Sequence, residues 1–417
     1  MIEKDTGTST RLQTLQKDLD AAGKREALQL FWKEVKEHGA PLVEESEGDD
    51  GYCLVTFVWQ ASEKLRGVLL ISLMTNPTEH PMTHLPGTDV WYLSLRLPSN
   101  LRATYQFFPD ELSASGKESV ASPWAEYRPD PFNPNTFAFY TEEEDPTDFK
   151  MTRSVLELPE APPQPWIEPQ ENVPKGKVQV HSMASNILGN ERRVWVYTPS
   201  GYKPGTDKPY PLLVLLDGWA YAFLMPTFTI LDNLIAAGEI PPTVAVLPDS
   251  LGPETRMKEL VFSQPFNDFL VTELLPWVLT QYAVTSNPLE TVIGGSSAGG
   301  LAAAYATLER PDVFGRVLSQ SGAFSLPPSW EIDYGWLARE YALRPESPLK
   351  FHLDVGTLEK NSFHEVRGRP STLDGNRRMR DALMKKGYPV HYTEFSGGHD
   401  YISWRGTLGD GLKFLLE

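Results

Sequence analysis

The residues TVIGGSSAGGLAAA (291–304) contain Gly295-Ser296-Ser297-Ala298-Gly299, a G-x-S-x-G pattern. In this pattern a strand turns sharply into a helix and leaves the central serine strained and exposed as a nucleophile. An apolar strand precedes Ser297 and an alanine-rich helix follows it, which is the setting the motif requires. Ala298 opens that helix, so its N–H and the positive end of the helix dipole can face a developing oxyanion. A phosphate loop is the rival, because Gly294 and Gly299 stand five apart, but Gly300 occupies the place where that loop needs lysine.

A serine hydroxyl attacks only when a base takes its proton. In the chain order serine, acid, histidine, four histidines lie downstream: His352, His364, His391 and His399. His352 and His391 fall inside strand-like runs, where a satisfied histidine is the common case, and His364 precedes a basic loop. His399 follows HYTEF through Ser396-Gly397-Gly398, at the carboxyl end of the last strand, where α/β sites gather. It is the candidate base. The acid should leave the preceding strand, KFHLDVG: Glu359 in the following loop is the first choice to hold the imidazole, with Asp354, still inside the strand, in reserve. A second oxyanion donor is expected after LLVLL, from the N–H of Gly218 or Trp219.

The elements around these residues form two regions. From Tyr210 onward, short wholly apolar runs (PLLVLLDG, TVAVLPD, TVIGG, RVLSQSG, KFHLDVG) alternate with amphipathic stretches, the signature of a parallel sheet buried on both faces by helices. KVQVHSMAS and ERRVWVYTPSGY precede it as a hairpin. Upstream, Lys24–His38 reads as an amphipathic helix stopped by Gly39 and Pro41, and CLVTFVWQ, GVLLISLM, VWYLSLRLP and ATYQFF read as strands of an antiparallel sandwich. Six prolines between Pro159 and Pro174 mark a linker. The expected organisation is a helix plus β-sandwich domain over 1–158, a linker over 159–174, and an α/β-hydrolase domain with a mostly parallel sheet over 175–417.

Composition narrows the function classes. The chain has 417 residues, 41% hydrophobic and 22% charged, with a formal net charge of −17, which argues against nucleic acid or an anionic membrane as a partner. Cys53 is the single cysteine, so no intrachain disulfide forms, and no zinc-type cluster or other cofactor motif is present. The first residues lack a basic start followed by an apolar core, and the most apolar region, Tyr210–Ile230, is interrupted by Asp217, Gly218 and Pro226. A cytoplasmic protein without a membrane span is expected.

The β region with VTFVWQ, GTDVWYLSLRLP and DPFNP, followed by LLDG, PDS…TRMKEL, GGSSAGG, SQSGAF and GGHDYISWR, resembles the enterochelin (ferric enterobactin) esterases from about Tyr52 to the C-terminus. The resemblance implies a cytoplasmic enzyme that hydrolyses the trilactone esters of a catecholate siderophore and so releases iron. It carries the nucleophile to Ser297, the base to His399 and a substrate-binding arginine to Arg256. A ferric tris-catecholate is trianionic, so a local cationic mouth is required. Arg256, Arg367, Arg369 and Arg405 lie in loops that can supply it, and Trp330 and Trp404 can stack on catechol rings or on the arginines. Trp330 is displaced from where the family pattern would put an aromatic cluster. Two other readings stand beside this one: a feruloyl or acetyl esterase with a carbohydrate-binding β module, and a non-catalytic hydrolase-like binding protein.

Overall fold

The structure, a computed structural model, describes residues 9–21, 23–45, 51–62, 65–72, 79–111, 127–139, 151–329, 334–360 and 370–417. The described chain divides into two compact units: Met1–Pro162 with Ser396–Asp400, and Pro163–Phe395 with Tyr401–Glu417.

The first unit opens with helices α1 (Thr10–Ala21) and α2 (Lys24–His38). Ala27, Phe31, Trp32 and Val35 recur at helical spacing on α2 and are its buried face. Gly39, at φ 84°, ends the helix by returning its N–H to Val35 O. The strands are β1 (Leu42–Glu45), β2 (Tyr52–Gln60), β3 (Leu65–Ser72), β4 (Glu79–Pro81), β5 (Thr83–His84), β6 (Val90–Pro98), β7 (Arg102–Glu111), β8 (Thr136–Phe139) and β9 (Met151–Glu157). They form two antiparallel sheets, β1-β2-β6-β5 and β4-β3-β7-β9-β8. Aromatic pairs bridge the sheets: Phe57 on β2 meets Tyr105 on β7 with ring centroids 4.9 Å apart, and Trp59 meets Phe107 at 5.3 Å. This is the expected sandwich.

The second unit contains β10 (Lys177–Ser185), β11 (Asn190–Thr198), β12 (Leu212–Leu215), α3 (Thr227–Ala236), β13 (Val244–Pro248), α4 (Pro253–Leu260), α5 (Gln264–Phe269), α6 (Leu275–Gln281), β14 (Thr291–Ser296), α7 (Ala298–Glu309), β15 (Arg316–Gln320), α8 (Trp336–Leu343), β16 (Lys350–Gly356), α9 (Thr372–Lys385), β17 (Val390–Phe395) and α10 (Tyr401–Leu416). Its eight-stranded sheet runs β10-β11-β13-β12-β14-β15-β16-β17. The pairs from β13 to β17 are parallel, while β10 and β11 join antiparallel as a hairpin edge. Every residue of β12, β13 and β14 is buried, which is why those segments carry no polar alternation. Apolar clusters cover the two faces. One gathers α5, α7 and α9 residues such as Phe269, Leu301 and Met379; the other gathers α3 and α10 residues such as Ile230 and Leu412.

The proline-dense stretch contributes to this second cluster. Trp166 packs on α10, where a side chain at Gly409 would meet its Cδ1 at 2.8 Å. Asn233 Nδ2 donates to Trp166 O and Glu168 O at 2.8 and 2.9 Å, which satisfies carbonyls that no ladder reaches. From Pro163 onward the stretch is therefore a strap fixed to the second unit. No helix among the described residues is long and apolar enough to cross a membrane.

Candidate active site

The turn at Ser297 has the geometry its sequence demands. Ser297 stands between β14 and α7 at φ 57°, ψ −117°, a backbone region that costs a non-glycine residue roughly 1–3 kcal/mol. Its own peptide groups hold it there. The N–H donates to Gln320 O at 2.8 Å, and the carbonyl accepts from Leu301 N at 3.1 Å and Ala323 N at 2.9 Å. Room for the turn comes from Gly295, where a Cβ would lie 2.6 Å from the Gly299 carbonyl carbon. Almost the whole of α7 is buried, from Ala298 to Leu308, so small residues let it lie close on the sheet. As the first helical residue, Ala298 has an N–H that the helix cannot satisfy.

A second strained turn lies at the end of β12. Asp217 adopts φ 61°, and its carbonyl accepts from Ala220 N and Tyr221 N at 2.8 and 3.2 Å. Gly218 and Trp219 form the first turn of the short helix that follows, so their N–H groups also lack intrahelical partners. Only glycine fits at 218, because a Cβ would meet Leu247 O at 2.4 Å. The Asp217 carboxylate is buried and receives Arg256 Nε at 2.7 Å, Arg256 Nη2 at 2.6 Å and Ser250 Oγ at 2.6 Å. Burial opposes the Arg256 charge, but the carboxylate outweighs it and raises the guanidinium pKa.

Two carboxylates, one within β16 and one in the loop after it, are held differently. Glu359 is buried; its Oε1 accepts from Ser321 Oγ at 2.6 Å and from Gly356 N at 2.8 Å. Ser321, itself at φ 49°, also accepts the indole N–H of Trp404 at 2.9 Å. Asp354 is fully buried with Oδ2 3.3 Å from His352 Nε2, and His352 Nδ1 lies 2.9 Å from His391 Nδ1. Burial and then the neighbouring His352 lower the pKa of His391. Asp354, His352 and His391 thus partner one another within β16 and β17.

His399 is partly exposed on the loop Ser396–Asp400, which groups with the first unit. Both ends of that loop are tied to β7. Ser396 O accepts from Arg102 N at 3.3 Å, and Asp400 Oδ2 accepts from Thr104 N and Oγ1 at 2.9 and 2.6 Å.

The expected substrate contacts are differently placed. Trp404, expected to stack on a catechol, is 2% exposed and packs in the core on α10, with its N–H given to Ser321. This corrects that expectation: a ring enclosed on both faces offers no surface to a ligand. Arg405 is half-buried and donates its Nε–H to Gln164 Oε1 at 2.9 Å, within the strap. Arg256 gives its Nε and Nη2 to Asp217. Trp330, His364, Arg367 and Arg369 lie outside the described residues. Asp217, Ser250 and Ser321 were missed as site residues. Ser321 had a signal, since RVLSQSG follows its apolar run with three consecutive polar residues; the other two had none until the fold brought them together.

Residues 185–415 match the Esterase family, and residues 54–167 match the enterochelin esterase N-terminal family. The iron(III) enterobactin esterase of Dickeya dadantii is 31% identical over 428 residues, covering 93% of this chain and 92% of the relative. That of Escherichia coli O6:H1 is 32% identical over 391 residues, covering 87% and 91%. Among solved structures, the enterobactin esterase of Shigella flexneri determined in the presence of enterobactin gives a TM-score of 0.72 at 28% identity, covering 92% of this chain and 97% of that one. Strained serine, α/β sheet, sandwich and similarity over about nine-tenths of the chain agree: the chain belongs to the enterochelin esterase family and is a carboxylic ester hydrolase.

Proposed function

We propose that this protein is a cytoplasmic serine esterase that opens the trilactone backbone of a ferric catecholate siderophore, enterobactin or a close relative, with Ser297, His399 and Glu359 as its triad. The observation that carries the reading is the backbone of Ser297, held at positive φ at a strand-to-helix turn in a chain that also matches the enterochelin esterase N-terminal family. A feruloyl or acetyl esterase has no use for that second match.

In this mechanism His399 takes the proton of Ser297 Oγ as the oxygen attacks a lactone carbonyl. The N–H groups of Ala298 and of Gly218 or Trp219 stabilise the oxyanion. Glu359 orients the imidazole and offsets its positive charge, held by Ser321 and Gly356. The imidazolium then protonates the departing seryl alkoxide, and water, activated by the same base, frees the acyl group from Ser297. Each cut removes one covalent tie between catechol arms and so weakens their joint hold on iron, which here is cargo of the substrate. With a chain charge of −17, attraction for a trianion must be local; Arg405, Trp330 and the arginines at 367 and 369 are the proposed contacts.

The test is product analysis of ferric and iron-free enterobactin after incubation with the purified protein and its Ser297→Ala variant. Wild type should yield linear and monomeric dihydroxybenzoylserine products. The variant should lose about 10⁴-fold or more in turnover with an unchanged melting temperature. Wild-type rates from Ser297→Ala would refute the mechanism.

A further inference from the structure

We infer that Arg256 is a positioning residue for the oxyanion hole, acting through Asp217, and that its main task is not recognition of the anionic substrate. The inference rests on the serine-esterase reading above.

Strands β13, β12 and β14 are consecutive in the sheet, and the loops leaving their carboxyl ends meet on one ion pair. The loop after β12 supplies Asp217. The segment after β13 supplies Ser250 Oγ and, from α4, the guanidinium of Arg256. The loop after β14 closes the group: Arg256 Nη2 lies 3.5 Å from Ser296 O, and a Cβ at Gly299 would lie 3.0 Å from Asp217 Oδ2. Two of these three loops carry the proposed oxyanion donors, Gly218 or Trp219 on one and Ala298 on the other. Such donors act only when both reach one oxygen at about 2.7–3.1 Å, so a clamp between the loops sets the width of the hole. The Nε–Nη2 edge of Arg256, which a substrate carboxylate or catecholate would need for two parallel hydrogen bonds, is the edge that holds Asp217. The contact also selects arginine over lysine, since an ammonium cannot form that fork.

The two roles separate on substrates of different charge. A recognition arginine raises KM for a trianion when removed and leaves an uncharged ester unaffected; a clamp lowers kcat for both alike. The experiment measures kcat and KM for ferric enterobactin and an uncharged aryl acetate with wild type, Arg256→Met, Arg256→Lys and Ser250→Ala, with melting temperatures recorded alongside. Arg256→Met should lose about 10²-fold in kcat on both substrates with KM within about threefold, matching the loss of an oxyanion donor. Arg256→Lys should fall between, and Ser250→Ala should lose several-fold on both. A loss confined to ferric enterobactin and to KM would overturn the inference, as would unchanged kcat in all three variants. Should Arg256→Met fail to fold, Arg256→Lys and Ser250→Ala decide by the same comparison. Activity retained in Ser297→Ala strikes at the esterase reading itself, whereas an inactive Ser297→Ala beside fully active Arg256 variants rejects only the clamp.

Discussion

Two buried carboxylates stand on either side of the nucleophile, and their donors divide them. Asp217 is gripped by a guanidinium in two hydrogen bonds, so its charge is answered where it sits. Glu359 accepts from a hydroxyl and a peptide N–H at one of its oxygens, contacts that fix its direction. In the proposed mechanism the first arrangement is a joint and the second is the acid that orients the imidazole. Asp354 is a third case, pinned beside His352 on the same face of β16. Residue type alone would treat all three alike. The partner decides which one does chemistry.

The largest effect expected from breaking this contrast is at Glu359. Glu359→Gln keeps the shape and removes the charge, and should lower kcat/KM on an aryl ester by about 10³–10⁴-fold. A loss below tenfold would transfer the acid role elsewhere. Trp404→Phe keeps an aromatic ring in the core, though a smaller one, and withdraws the N–H that holds Ser321 under Glu359. One hydrogen bond of about 0.5–1.5 kcal/mol corresponds to a loss of about two- to thirteenfold in kcat/KM, with KM unchanged. An unaltered kcat would leave Trp404 a packing residue only.

A last effect, on stability and not on turnover, lies in the first unit, where Asp130 is held by neutral donors, Tyr105 Oη at 2.7 Å and Phe132 N at 2.9 Å. Burial pushes its pKa up from 3.8 to about 6. The folded state therefore binds the proton more tightly than the unfolded chain. The associated stability is complete below the unfolded value and is lost as pH rises through about 6, an amount of at most about 3 kcal/mol. Between pH 4 and 7, approximately, the wild-type melting temperature should fall relative to that of Asp130→Asn. Parallel curves would show that Asp130 ionises as freely folded as unfolded.

How much of this was legible depended on how local each feature is. Helix α2 spans the residues its pattern marks, Lys24–His38, because periodicity and a glycine stop lie in one short window. The Ser297 turn was readable for the same reason. Helix α10 was not anticipated: GGHDYISWRGTLGD is rich in glycine, and its helicity comes from packing that a propensity reading does not contain. Gly409 and Gly411 are there because Trp166 and His352 approach the helix closely. Trp404 was misjudged because an aromatic residue near a proposed base looks the same in sequence whether it faces a ligand or the core. The Asp217–Arg256 pair spans 39 positions, and nothing in either neighbourhood names the other. Long-range polar pairing is where a linear reading fails first.

The loop Ser396–Asp400 leaves β17 and yet takes its footing from β7, through Thr104 and Arg102. The imidazole proposed to drive hydrolysis is thus moored to the amino-terminal sandwich. A chain trimmed to begin at the strap would retain Ser297 and Glu359 and forfeit that mooring. Within the first unit, then, Arg102 and Thr104 are what fix the backbone on either side of residue 399.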